Sequence, residues 1–67
     1  MTKEEIRLAN YAEKICGLMA TVDSKGIWEF SHCRKLVALV TGNRAADTWL
    51  AGYRAAQAIA ELSNYSR

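Results

Sequence analysis

The chain of 67 residues has no proline, one histidine, one phenylalanine and two cysteines. Without proline, nothing breaks a helix by ring chemistry, and the four glycines become the natural stops. Cys16 and Cys33 are too few for a disulfide scaffold. They read as reduced thiols in a cytoplasmic protein. Charge of one sign is also lacking: nine basic residues face seven acidic ones, for a formal charge of +2. Non-specific nucleic-acid binding rests on neutralising several phosphates, and so mild an excess does not supply that. The same balance excludes an acidic mimic of DNA. No apolar run approaches a membrane span; the longest, Ile15 to Val22, is far too short. A secretion signal is not expected, because Lys3, Glu4 and Glu5 stand where its apolar segment would begin.

The residues of site chemistry are equally sparse. A metal site would draw on Cys16, His32 and Cys33. There is no Cys-x-x-Cys pair, and neighbours such as His32 and Cys33 diverge by about 100° on a helix. No paired carboxylates and no glycine-rich phosphate loop occur. The expectation is a non-enzymatic protein with no catalytic residue, metal or cofactor.

What is present is apolar material, 51% of the chain, in a single domain spanning 1–67. A domain this small buries only about 60% of its unfolded surface, which favours help from a second subunit. The strongest pattern lies at Asn43 to Leu62, where seven of twenty residues are alanine. Ala45, Trp49, Gly52, Ala56 and Ile59 form one stripe at helical spacing. Ala51, Ala55 and Ala58 form a second face of small residues, and a helix apolar on two faces needs two neighbours. Asn43 is placed to cap this helix. Thr2-Lys3-Glu4-Glu5 has the form of a capping box opening another helix. Leu8, Ala12, Ile15, Met19 and Val22 read as that helix's buried stripe, with Gly17 at a close helix crossing. Asp23 to Gly26 suits a type I turn. A strand after it would have no partner, so Ile27, Trp28 and Phe30 are read as leading into a helix. Cys33, Leu36, Val37 and Val40 serve as that helix's stripe.

The expected fold is therefore all-α: three helices at about 3–20, 29–40 and 44–62. Helices 2 and 3 form an antiparallel hairpin around Thr41-Gly42-Asn43, helix 1 packs across them, and the molecule is a homodimer. The polar stretch Ser63 to Arg67 is expected to fray.

The functional expectation is protein binding, by a small adaptor or inhibitor of the kind common among bacterial and phage regulators. Trp28, Trp49, Tyr53 and Arg54 are the candidate anchors, since Trp, Tyr and Arg dominate binding hot spots. Arg34, Lys35 and Arg44 would steer a partner with an acidic surface. The rival expectation is a helix-turn-helix DNA binder using Arg44, Thr48 and Arg54, with Ala38 and Gly42 at its small-residue positions. Asp47 beside a phosphate backbone weighs against it.

Overall fold

The computed structural model describes residues 2–65. It contains helix α1 (Lys3–Lys14), strands β1 (Met19–Val22), β2 (Ile27–His32) and β3 (Lys35–Thr41), and helix α2 (Asn43–Tyr65). The strands form one antiparallel sheet in the order β1-β2-β3. The fold is α+β, which overturns the all-α, three-helix bundle expected from the sequence.

The capping box behaves as its residues dictate. The Thr2 hydroxyl accepts from the Glu5 amide, and the Glu5 carboxylate accepts from the Thr2 amide, at 3.2 and 3.1 Å. Glu4 forms a paired hydrogen bond with Arg7 on the next turn. Leu8 and Ala12 bury the helix's inner face. The helix then stops at Lys14, six residues early. Gly17 adopts φ +69°, and the Leu18 amide returns to the Ala12 carbonyl at 2.8 Å. Gly17 thus ends the helix by its left-handed backbone rather than serving a helix crossing. Of the expected stripe, Ile15 is half exposed, while Met19 and Val22 belong to β1.

The turn at Asp23 forms as expected but joins two strands. The Gly26 amide donates to the Asp23 carbonyl, and the Asp23 carboxylate accepts from the amides of Lys25 and Ile27. β2 then finds a partner on each side, which overturns the view that a strand here would stand alone. Val22 pairs with Trp28 and Ala20 with Phe30 on one flank; Trp28 pairs with Val40 and Phe30 with Ala38 on the other. These six side chains share the inner face. Trp28 and Phe30 are fully buried, and the other four pack against them.

The stretch expected as helix 2 is the β2–β3 hairpin. Its turn residues, Cys33 and Arg34, both have positive φ, 51° and 67°. Two-residue hairpins of type I′ need that conformation at both positions and usually meet it with Asn-Gly or Asp-Gly. With no such residue at 33 or 34, the turn was not legible, and the apolar run beyond it passed for a helical stripe. In the structure Leu36, Val37 and Leu39 are largely exposed.

α2 matches the expected third helix and continues through Tyr65; residues 66 and 67 lie outside the described residues. Gly42, at φ +91°, ends β3 and accepts the Ala46 amide on its carbonyl. Asn43 does not act as the expected cap. Its side-chain oxygen accepts from the Trp28 indole N–H at 3.1 Å, which pins the start of α2 to the central strand. Ala46 and Leu50 enter the core, joining Leu8, Ala12, Cys16, Leu18, Trp28 and Phe30. Because β3 rather than a helix precedes Gly42, the helix-turn-helix reading has no first helix.

Candidate interaction surface

The sheet has two faces of different character. Alternation along β2 sends Trp28 and Phe30 inward and Glu29 and Ser31 outward. Glu29 pairs with Thr21 and Leu39, and Ser31 pairs with Met19 and Leu36. Six outward residues therefore lie in two rows, Thr21-Glu29-Leu39 and Met19-Ser31-Leu36. Neither helix covers them. Met19, Leu36 and Leu39 are 66%, 61% and 58% exposed. The register shifts between Phe30 and Ser31, leaving Val37 as the extra residue of a bulge on β3. Val37 is exposed too. At the hairpin tip, His32, Cys33, Arg34 and Lys35 are all exposed, so two cations adjoin the apolar end of this face.

The sequence-predicted anchors are distributed otherwise. Trp28 is fully buried, so its ring belongs to the core. Phe30, Trp49 and Tyr53 continue from it in one stacked row, with ring centres 5.8, 4.8 and 5.2 Å apart. Trp49 and Tyr53 are half-buried and lean on that row. Arg54 lies 3.9 Å from Glu61 on its own helix. Arg34 and Lys35 sit at one end of β3 and Arg44 beyond the other, about 20 Å away at strand rise. The expected steering patch is thus split. The residues that sequence reasoning missed are Met19, Leu36 and Leu39. A period-two reading of residues 27–41 would have exposed them, since inward Trp28 and Phe30 force their paired rows apart from these side chains.

On the exposed side of α1, charge around Arg7 is locally compensated. Arg7 contacts both Glu4 and, at 3.6 Å, Asp47 of α2. The Arg7 hydrogen bond holds the Glu4 carboxyl below its ordinary value, and the Thr2 amide does the same for Glu5. Asp47, set against the DNA reading on charge grounds, faces α1.

The two cysteines are free thiols. Cys16 is buried, with its Sγ 4.0 Å from the Leu50 carbonyl, and burial pushes its thiol pKa up. Cys33 is exposed, 3.9 Å from His32 Nε2. No group of three or more His, Cys, Asp or Glu able to hold a metal ion occurs among the described residues. Nor is any described helix long and apolar enough to cross a membrane. A shallow hollow of about 430 Å³ lies between the end of α1 and the hairpin tip, lined by Glu13, Leu18, Met19, His32 and Arg34 among others.

No protein family matches this chain, no curated protein matches it, and no solved structure matches it.

Proposed function

We propose that this chain is a non-enzymatic binding protein of the cytoplasm that acts by covering an apolar patch on another protein. The observation that carries the reading is the outer face of the sheet. Met19, Leu36 and Leu39 remain exposed although eight residues already complete a core without them. Large apolar side chains gathered on one uncovered face of so small a domain support an interaction site. Leu36 and Leu39 serve as anchors in place of the buried Trp28. Arg34 and Lys35 beside them steer a partner whose patch has an acidic rim. The consequence for the partner is steric occlusion, whether that inhibits it or adapts it to a third component.

The test is affinity capture under reducing conditions with three baits: the native chain, Leu39→Lys, and Lys25→Glu on the β1–β2 turn. A partner held by the native chain and by Lys25→Glu but lost with Leu39→Lys supports the outer face. A partner held equally by all three overturns it.

A further inference from the structure

We propose that two copies of this chain associate about a two-fold axis along the flank formed by β3 and α2. In this dimer β3 pairs antiparallel with its counterpart into a six-stranded sheet. The second α2 lies antiparallel against the first, centred on Gly52.

Four observations meet on that flank. First, β3 is an edge strand of seven residues, whereas the opposite edge, β1, has four. Natural edges are kept from pairing by short length, charge, proline or a bulge. β3 has neither proline nor any charge after Lys35, its sequence continues Leu-Val-Ala-Leu-Val-Thr, and the bulge at Val37 is the one such feature it carries.

Second, α2 turns its best-patterned stripe to the same side. Asp47 contacts Arg7 of α1, which places α1 on one flank of α2. Ala45, Trp49, Gly52, Ala56 and Ile59 lie on the other flank by helical geometry. Ala45 and Trp49 join Val40, Thr41, Arg44 and Thr48 in lining an open, mainly apolar groove of about 610 Å³ between strand and helix. Ile59 is 64% exposed, and Ala45, Gly52 and Ala56 are exposed as well. Apart from Trp49, which stacks on Phe30, the stripe that the sequence displayed most clearly therefore packs little within its own chain.

Third, the stripe complements itself. An antiparallel pair centred on Gly52 sets Ile59 opposite Ala45 and brings Trp49 within one residue's rise, about 1.5 Å, of Ala56, twice over, with Gly52 facing Gly52. Each bulky residue meets a small one, as an isologous interface requires. None of the five residues is charged, so no like charges meet. A Cβ at Gly52 would meet nothing within 4 Å outside its own stretch of helix. Glycine inside a helix costs about 1 kcal/mol against alanine. Within one chain that cost has no return, whereas a second helix at close range makes use of it.

Fourth, one axis serves both elements. α2 starts immediately after β3 and runs back over it: Asn43 bonds to Trp28, and Trp49 stacks on Phe30. Gly52 lies nine residues into α2, about 14 Å along its axis. Four residues back along β3 from Thr41, again about 14 Å, is Val37. The centre of the helix pair and the centre of the strand pair are therefore level. Association leaves the outer face open and joins two of them side by side, so this proposal stands or falls apart from the occlusion reading.

The decisive experiment is light scattering across micromolar to millimolar concentration on the native chain, Gly52→Arg, Val37→Lys and Met19→Lys. All three substitutions are at exposed positions, and circular dichroism checks that each variant folds. The native chain should show twice its 7.5 kDa mass. Gly52→Arg and Val37→Lys should return it to the single mass, although arginine is the better helix former. Met19→Lys, on the far strand and the outer face, should remain dimeric. A native chain that stays single at millimolar concentration overturns the proposal. So does a dimer that survives both flank substitutions, or one broken by Met19→Lys alone.

Discussion

The two faces of the sheet are built from the same three strands yet differ in what they ask of their residues. The inner face must fill a space closed by α1 and α2, and it does so with two large rings flanked by small or β-branched neighbours. Trp28 stands between Val22 and Val40, and Phe30 between Ala20 and Ala38. The outer face has no closed space to fill, yet it still carries Met19, Leu36 and Leu39. An antiparallel sheet in water ordinarily alternates apolar inward with polar outward. β2 obeys that rule, with Glu29 and Ser31 outward, and β3 does not. The difference teaches that the alternation of β2 follows from folding alone, whereas folding does not account for the outward leucines of β3.

The largest effect should come from the inner face. Phe30 is fully buried in the middle of the stacked row. Phe30→Ala removes the ring from its site between Trp28 and Trp49 and should cost about 3–5 kcal/mol. Small domains hold only some 5–15 kcal/mol in total, so urea unfolding should show a sharply lowered midpoint. A loss under about 1 kcal/mol would show that the row is not the centre of the core.

A gain is expected at the hairpin tip, which connects the two kinds of strand. Cys33 and Arg34 occupy the left-handed region, where an ordinary residue is less stable by about 1–2 kcal/mol. Replacing the pair by Asn-Gly, the sequence that suits this turn, should stabilise the domain by about 1 kcal/mol. Urea unfolding checks it, and an unchanged midpoint would mean that the tip is not strained.

That tip also explains what could and could not be read in the sequence. The capping box at Thr2 and the turn at Asp23 were legible because each is carried by residues within one turn of the chain, and the long second helix was legible from its run of alanines. Gly42 takes the expected left-handed backbone but ends a strand rather than a helix. The sheet was not legible. β1 begins two residues after a helix-ending Gly17 whose effect appears only in its backbone angle. The β2–β3 turn uses Cys-Arg where glycine or asparagine would have signalled a hairpin. With that signal missing, Leu36, Val37 and Val40 fit a helical spacing as well as an alternating one, and tertiary pairing decided between them. The candidate surface suffered from the same ambiguity. Aromatic residues were read as anchors by type, whereas Trp28 was needed between two strands that the reading did not contain. The stripe read on α2 was expected to pack against other helices, whereas the helix enters the core through the neighbouring Ala46 and Leu50.

Acid should produce a small effect confined to the layer behind the inner face. The carboxyls of Glu4 and Glu5 titrate below their ordinary value because Arg7 and the Thr2 amide bond to the charged forms. A carboxyl with a depressed folded pKa contributes stability that is complete above its unfolded value, about 4.3. That contribution is lost as pH falls through the lower folded value. Both side chains are exposed and solvent-screened, so the start of α1 should loosen below about pH 4 while the sheet persists. Amide exchange, followed residue by residue, should show Ile6 and Arg7 losing protection before Trp28 and Phe30. Simultaneous loss would mean that the capping box does not act on its own.

The smallest effect is expected where the contrast between the faces is sharpest. Leu39→Thr and Met19→Thr replace exposed outer residues by one that favours strands as well. The core does not contain these side chains, so the stability change should lie within about 0.5 kcal/mol. A residue whose removal leaves folding untouched is free to make contacts outside the domain, and a near-zero result on the outer face is therefore the informative one. If either substitution instead costs as much as a core truncation, the outer face is part of the folding unit and the asymmetry between β2 and β3 loses its meaning. If both are neutral while capture of the partner fails, the two faces divide the work between them, the inner one holding the domain together and the outer one meeting its target.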